Sequence, residues 1–252
     1  MGTGPAPGRE PHPPLAGTTA LVTGAGRGLG RAIAAVLSDA GARVFAADVA
    51  WEDEQAAGGN EPIPARGIEP ILLDVADRGS VRAAVEAVEA AAGPIRVVVN
   101  NAGIDVTAPF EEIDPATWDR IIDVNLRGPA NVSRAVWGSM RRAGGGSIVN
   151  VVSTAARRAW ANASAYHASK WGLLGFSHAL HVEGREAGIR VTAVIAGGMR
   201  TPFLLDRFPG IDPSTLQEPE AVAAAVRFAV TQPEGTVIPE IMVVPTAETS
   251  WP

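Results

Sequence analysis

The stretch Thr19-Ala-Leu-Val-Thr-Gly-Ala-Gly-Arg-Gly-Leu-Gly30 decides the fold that this chain can adopt. Its first five residues form a short, mostly apolar run that predicts a buried β-strand. Leu29, Ile33 and Leu37 then recur at helical spacing, and Gly41 is a natural helix stop. A strand, a glycine-rich turn and a helix in this order form a phosphate site, because glycines let the backbone approach a pyrophosphate whose charge the helix N-terminus meets. The stretch therefore predicts a dinucleotide-binding unit.

An acid at the end of the next strand makes this interpretation more specific. A second apolar run, residues 43–47, leads directly into Asp48. Its position lies close to the roughly 20 residues beyond the glycine turn at which an acid binds the adenosine ribose. Glycine clusters alone are often ordinary turns, so the strand, the helix and Asp48 together favour a cofactor site.

Strands and helices alternate along the remaining chain. Apolar runs predict strands at 71–75, 95–99, 147–152, 189–195 and 240–244. Helical spacing and capping residues predict helices after Asp77, from Asp114 to about Arg142 with a kink at Gly128-Pro129, from Ser164, and over 220–230. This alternation favours an α/β fold with a parallel sheet covered by helices on both faces. Residues 1–16 are Gly/Pro-rich and are predicted to be a disordered tail, and residues 17–252 a single domain.

The composition limits the possible partners. The net charge of −6 argues against nucleic acid or an anionic membrane as a partner, since both require basic surfaces. The chain has no cysteine, which excludes disulfides and thiolate metal sites and fits a cytoplasmic location. No apolar run approaches the roughly 20 residues that span a bilayer. His178 and His181 are three residues apart without an evident acidic partner, so we interpret them as surface residues and predict no metal site.

A second informative stretch runs from Ser153 to Lys170. The apolar run before Ser153 places this serine at a strand end, and Tyr166 and Lys170 share one helix face because they are four residues apart. A free tyrosine has a pKa of about 10, and a neighbouring positive charge favours the phenolate. The pair therefore predicts a phenol that exchanges protons near neutral pH, with Ser153 holding the same reacting oxygen. A chance pairing is the alternative, which the other motifs argue against.

From about Gly17 to Val244, the chain resembles the short-chain dehydrogenase/reductase family. Four blocks stand in the order typical of that family: Thr23-Gly24-x-x-x-Gly28-x-Gly30, Asn100-Asn-Ala-Gly103, Ser153 and Tyr166-x-x-x-Lys170. The resemblance implies a doubly wound, Rossmann-like sheet of seven parallel strands and a nicotinamide cofactor. It also implies a catalytic tetrad, which falls on Asn125, Ser153, Tyr166 and Lys170.

The resemblance also implies which residues bind the cofactor. Asp74 and Val75 match its adenine contacts, residues 101–103 match the stretch along the ribose, and Met199 and Thr201 match the carboxamide end. The full predicted set is Gly24, Arg27, Gly28, Leu29, Gly30, Asp48, Asp74, Val75, Asn101, Ala102, Gly103, Tyr166, Lys170, Met199 and Thr201.

Arg27 and Asp48 favour different cofactors. Arg27 in the glycine turn favours NADP, because a basic residue there often accompanies a 2′-phosphate in this family. Asp48 favours NAD, because a carboxylate accepts hydrogen bonds from both ribose hydroxyls and repels a 2′-phosphate. Asp48 is fixed at a strand end and Val49 after it offers no positive charge, so we predict NAD.

These assignments predict an enzyme that transfers a hydride between NAD and a secondary alcohol or ketone. Tyr166 is the general acid/base, and Lys170 lowers the Tyr166 pKa and holds the ribose hydroxyls. By resemblance, Asn125 keeps a water that relays protons from Lys170. Two alternatives stay open: an NADPH-dependent 3-oxoacyl or polyketide-type ketoreductase, and a non-catalytic nucleotide-binding sensor on the same fold.

The sequence leaves the substrate open. Ala196-Gly197 and Val244-Pro245-Thr246 replace the Pro-Gly and Asp-Gly-Gly that the family often has near its pocket and subunit contacts. Arg157, Arg158 and Arg200 are candidates for binding a substrate carboxylate or phosphate, although solvated arginines are the simpler interpretation. His167, about 100° round the helix from Tyr166, is interpreted as a packing or surface residue. The resemblance also implies a homotetramer.

Overall fold

A computed structural model describes residues 14–51 and 67–248 and contains one parallel sheet of seven strands in the order β3-β2-β1-β4-β5-β6-β7. This arrangement confirms the predicted fold class. The strands are β1 (Thr19–Thr23), β2 (Arg43–Asp48), β3 (Ile68–Leu72), β4 (Ile95–Asn100), β5 (Gly146–Ser153), β6 (Ile189–Ala196) and β7 (Glu240–Val243). The helices are α1 (Gly28–Asp39), α2 (Arg78–Ala92), α3 (Pro115–Ile122), α4 (Gly128–Arg142), α5 (Ser164–Gly184), α6 (Pro202–Leu205) and α7 (Pro219–Val230).

The central strand β1 is buried on both faces, which explains its apolar sequence. Ala20 and Val22 point into a cluster with residues of α1 and α7, whereas Leu21 points into a second cluster with residues of α2 and α4. Helices therefore cover the sheet on both sides.

The predicted third strand was placed too late in the sequence. It was expected at 71–75, but β3 begins at Ile68, which pairs with Val44 of β2. Leu73 and Val75 lie beyond the strand and are nevertheless buried. The apolar run at 71–75 therefore includes the end of β3 and the buried loop after it, which packs against α2.

Part of the stretch predicted to be a disordered tail packs against the domain. Leu15 belongs to the stretch predicted to be a disordered tail, yet only 5% of its surface is exposed. Its backbone N–H donates to the carbonyl of Ala40 at 2.9 Å. Residues 1–13 of that tail, and residues 52–66 of a predicted loop, lie outside the described residues.

The long helical region after Asp114 is interrupted, as predicted, but slightly earlier than at Gly128-Pro129. Between α3 and α4 the chain forms a π-helical turn, Asp123–Arg127. Gly128 follows it, and a Cβ there would lie 2.7 Å from Cγ2 of Val75, so the next helix packs closely against the loop after β3. Such turns are frequent at functional sites, and this one directs the fully buried Asn125 inward.

A chain of buried polar side chains crosses the middle of the sheet. Asn100 of β4 donates to Ser133 of α4 at 3.2 Å and to Oδ1 of Asn150 on β5 at 2.8 Å. Asn150 donates in turn to Ser177 of α5 at 2.9 Å, and Ser177 donates to the carbonyl of Leu173. Two helices and two strands are thereby joined within the core.

Candidate active site

A cleft of about 590 Å³ opens beyond the carboxyl ends of the strands. The sheet order reverses between β1 and β4, which is where open α/β sheets bind ligands. Every predicted site residue except Asn125 lines this cleft. They are Gly24, Arg27, Gly28, Leu29, Gly30, Asp48, Asp74, Val75, Asn101, Ala102, Gly103, Ser153, Tyr166, Lys170, Met199 and Thr201.

The glycine turn is closed tightly against its own first residues and the loop after β4. A Cβ on Gly30 would lie 2.0 Å from the carbonyl oxygen of Gly24, and one on Gly24 would lie 2.7 Å from Cα of Ala102. Gly24 also has a φ of 63°, which glycine adopts most readily. Helix α1 begins at Gly28, and Arg27 before it provides no side-chain cap. The N-terminus of α1 therefore faces the cleft in the way that suits a cofactor pyrophosphate.

Asp48 is held in place from both sides of its carboxylate. Oδ2 accepts a hydrogen bond from the N–H of Gly26 at 2.9 Å, and Oδ1 accepts one from the N–H of Val49 at 2.8 Å. Arg27 instead extends across the cleft to Asp206, 3.8 Å away, and both side chains are exposed. The carboxylate is thus fixed by backbone donors, whereas the guanidinium is restrained by one long, solvated ion pair.

Ser153, Tyr166 and Lys170 meet at the inner end of the cleft. Ser153 ends β5, and its hydroxyl lies close enough to the Tyr166 phenol to lower the pKa of that phenol. Both Tyr166 and Lys170 lie in α5, one turn apart, with the Lys170 ammonium 5.6 Å from the centre of the Tyr166 ring. The ammonium donates to the carbonyl of Val151 at 3.0 Å, which anchors it under the sheet end.

Burial has the largest effect on the pKa values of Tyr166 and Lys170. It raises the pKa of Tyr166 from 10.0 to about 12, although the hydrogen bond from Ser153 opposes the shift. It lowers the pKa of Lys170 from 10.5 to about 8, because the ammonium loses hydration. The net shift of the Tyr166 pKa is therefore upward, opposite to the predicted movement toward neutral pH, because desolvation outweighs the interactions with Ser153 and Arg207 that lower it.

Asn125 stands behind the cleft wall. Its side chain accepts from the N–H of Ile104 at 2.8 Å and donates to the carbonyl of Ile104 at 2.8 Å and to Ser169 at 3.0 Å. Both amide hydrogens are used, so a relay water can bind Asn125 only by donating to its oxygen atoms. A Cβ on Gly103 would lie 3.5 Å from Asn125 Oδ1 and 3.7 Å from Lys170 Nζ. Gly103 therefore keeps open the space between the two residues.

His167 is buried, in agreement with its interpretation as a packing residue. Its Nδ1 donates to the carbonyl of Ala155 at 2.8 Å, because a carbonyl can only accept, and Nε2 accepts from the N–H of Trp160 at 3.1 Å. The imidazole thereby fixes the segment between Ser153 and Tyr166, which forms one wall of the cleft.

Sequence reasoning missed a charged pair inside the cleft. Asp105 follows Ile104 on the loop after β4, and its Oδ2 accepts from Arg207, just beyond α6, at 2.9 Å. Burial raises the pKa of Asp105, and the charge of Arg207 partly opposes that shift. Another signal was overlooked: the chain has a single tyrosine and a single lysine, and both lie in this site.

The predicted substrate arginines lie elsewhere. Arg157 pairs with Glu240 and Arg200 with Glu218, and neither they nor Arg158 line the cleft. The same Glu240 is the acidic partner that His178 was thought to lack, at 2.5 Å. Within residues 14–51 and 67–248, no three His, Cys, Asp or Glu residues are grouped to hold a metal ion.

The described part of the chain also has no helix that is long and apolar enough to cross a membrane. The cytoplasmic location stays a prediction.

Comparison with known proteins agrees with this site. The short chain dehydrogenase family matches residues 18–210. An acetoacetyl-CoA reductase of Paracoccus denitrificans is 38% identical over 86% of this chain and 91% of its own length. A D-threitol dehydrogenase of Mycolicibacterium smegmatis is 42% identical over 71% of this chain and 69% of its own length. A metagenomic short-chain oxidoreductase in complex with NADP has a TM-score of 0.77 at 35% identity, covering 92% of this chain and 99% of that one.

The fold and the cleft thus define an α/β oxidoreductase with a site for a nicotinamide dinucleotide. The chain belongs to the short-chain dehydrogenase/reductase family, as the sequence blocks indicated.

Proposed function

We propose that this enzyme transfers a hydride between NAD and a secondary alcohol or the corresponding ketone, with Tyr166 exchanging the proton. The observation that supports this most directly is the placement of Tyr166. Its side chain lines the cleft next to Ser153, and the Lys170 ammonium lies beside its ring. The nicotinamide of a bound cofactor gives or takes the hydride, and the protein handles orientation and the proton.

In the direction of reduction, Tyr166 donates its proton to the carbonyl oxygen while Ser153 hydrogen-bonds the same oxygen. The raised pKa keeps Tyr166 a neutral phenol at pH 7, which is the form that can act as an acid. In oxidation, Tyr166 first passes its own proton to the relay through Lys170, and the resulting phenolate then receives the alcohol proton. Lys170 holds the ribose hydroxyls of the cofactor and, with a water on an oxygen atom of Asn125, restores the proton to Tyr166.

A panel of secondary alcohols and ketones, each assayed with NAD, NADP and their reduced forms, tests this proposal through nicotinamide absorbance. The panel includes acetoacetyl-CoA, because the similarity to the Paracoccus enzyme favours a 3-oxoacyl ketoreductase as the second candidate. Binding of cofactor without turnover of any compound would overturn the proposal in favour of a nucleotide-binding sensor.

We predict that the enzyme prefers NAD over NADP by at least about tenfold in kcat/KM. A 2′-phosphate near the fixed Asp48 carboxylate suffers like-charge repulsion of about 4 kcal/mol at 4 Å and an effective dielectric of 20, and even a third of this is tenfold. Asp48→Ser is expected to narrow or reverse the preference. As a control, Arg27→Ala should lower kcat/KM with NADP more than with NAD. A wild-type preference for NADP would show that Arg27 outweighs Asp48.

We also predict a homotetramer in solution. Large apolar side chains are exposed on the outer faces of two helices, Trp171 and Val182 on α5 and Phe228 on α7. Because exposed apolar surface of this kind marks interfaces, Trp171→Glu should reduce the mass measured by light scattering. Asp39→Lys, at an exposed polar site on α1, is the control and should leave the mass unchanged. A stable wild-type monomer at micromolar concentration would contradict the prediction.

A further inference from the structure

The Asp105–Arg207 pair connects the two walls of the substrate end of the cleft. Asp105 lies on the loop after β4, and Arg207 follows α6, with 2.9 Å between the guanidinium and the carboxylate. The Asp105 side chain is only 6% exposed and that of Arg207 19%, and both residues line the cleft. None of the steps proposed above uses this pair.

The pair lies next to the proposed proton donor. The guanidinium of Arg207 is 4.2 Å from the centre of the Phe203 ring, and that ring is 6.1 Å from the ring of Tyr166. The charge of Asp105 also acts on Tyr166, so a substrate whose oxygen contacts Tyr166 and Ser153 lies in the same part of the cleft as Asp105.

One oxygen of the Asp105 carboxylate is unsatisfied. Oδ2 accepts from Arg207, but the buried Oδ1 receives no hydrogen bond from the described residues, although the charged carboxylate is favoured by the nearby N–H of Val106. A buried acceptor without a donor is unfavourable, so a ligand that supplies a donor gains affinity. Oδ1 is shielded from solvent in this structure, so a ligand contact with it requires a shift of the short segment that carries Arg207.

The charges of the pair select the kind of donor. Because Asp105 and Arg207 already neutralise each other, a substrate ammonium or carboxylate would have to compete with one member of the pair for the other. A hydroxyl group donates to Oδ1 without such competition. Apolar side chains line the cleft beside the pair, namely Ile104, Phe203, Leu204 and Phe208, and the Lys170 ammonium is near enough to favour the charged form of Asp105.

We infer that Asp105, held by Arg207, recognises a second hydroxyl of the substrate, so that the enzyme acts on vicinal diols and the corresponding hydroxy ketones. This inference rests on the proposed function and specifies its substrate class. Asp105 is then a specificity residue, since it touches a part of the substrate that does not react.

Two matched pairs of compounds test the inference: 2,3-butanediol against 2-butanol for oxidation, and 3-hydroxy-2-butanone against 2-butanone for reduction. Sites built to hydrogen-bond a substrate hydroxyl strongly reject analogues without it, so wild-type kcat/KM should favour the hydroxylated member by about 100-fold or more. Asp105→Asn places an amide donor beside the ligand and should remove most of that preference, because kcat/KM for 2,3-butanediol is expected to fall much further than kcat/KM for 2-butanol.

Three controls separate an effect on substrate recognition from a loss of folding or of charge balance. Asp105→Leu combined with Arg207→Met replaces the pair by apolar groups and avoids a buried, unpaired charge. The exposed Asp39→Asn should leave both kcat/KM values unchanged. Cofactor binding, followed by tryptophan fluorescence, reports whether each variant keeps its fold.

The possible results separate the two proposals. Equal losses for diol and monoalcohol in both Asp105 variants would overturn the inference, because Asp105 would then act on Tyr166 or Lys170 and not on the substrate. Turnover of both wild-type compounds without preference would also overturn it but leave the proposed function intact. Turnover of neither class, in either direction, would overturn the proposed function and this inference with it.

Discussion

Tyr166→Phe is expected to lower kcat by about 10²- to 10⁴-fold, which is the usual contribution of a positioned general acid or base. The substitution removes only the hydroxyl, so the packing of the ring against Phe203 remains and cofactor affinity should stay within about threefold. Stopped-flow measurement of hydride transfer, together with cofactor titration, separates the two effects. Near wild-type turnover would disprove the assignment of Tyr166.

The same residue can be examined without any substrate. Because Tyr166 is the only tyrosine, ultraviolet absorbance of the folded protein titrates this phenol alone. The midpoint is expected near the raised value of about 12, compared with about 10 in the unfolded chain. Ser153→Ala should raise it further, since the hydrogen bond from Ser153 lowers the pKa. A midpoint below 10 would mean that Lys170 outweighs burial.

Lys170→Met is expected to abolish turnover and weaken cofactor binding while making the protein more stable at pH 7. A pKa lowered from 10.5 to about 8 means that burying the ammonium costs about 3 kcal/mol, at 1.4 kcal/mol per unit. Methionine removes that cost, but the hydrogen bond to Val151, worth about 1 kcal/mol, is also lost. The expected net gain in free energy of unfolding is about 2 kcal/mol, measured by urea denaturation.

The pH dependence of this gain has a definite sign. Between about pH 8 and 10.5, the unfolded chain binds a proton at Lys170 that the folded protein has released, so wild-type stability rises with pH in this window. The variant lacks that rise, and its advantage should shrink above pH 8. Tyr166 opposes the trend only above pH 10, where the unfolded phenol ionises first. Since Lys170 is the only lysine, its side-chain NMR signal reports the midpoint directly.

Local patterns were sufficient to predict most of the fold. The strand, turn and helix around Gly24 are encoded within twelve neighbouring residues, and the Tyr166–Lys170 spacing already places both side chains on one helix face. The start of β3 was misplaced because its register depends on pairing with β2, and residues 73–75 are apolar for a different reason.

The missed features depend on contacts that are distant in sequence. Asp105 and Arg207 are 102 positions apart, and neither belongs to a motif. The direction of the Tyr166 pKa shift follows from how completely the fold removes water from the phenol, which spacing along a helix does not reveal. The acidic partner of His178, Glu240, likewise comes from a strand 62 positions away.

The buried polar chain through Asn100 and Asn150 has a consequence for how the chain avoids misfolding. If β4 slid by one residue along β5, the Asn100 amide would turn to the opposite face of the sheet and lose both Ser133 and Asn150 as partners. Each buried group that lost its partner would cost about 1–3 kcal/mol, whereas the surrounding valines would pack almost as well in either alignment. Asn100 begins a sequence block associated with the cofactor. Its buried hydrogen bonds also fix the register of β4 on β5, because a shifted register would be less stable.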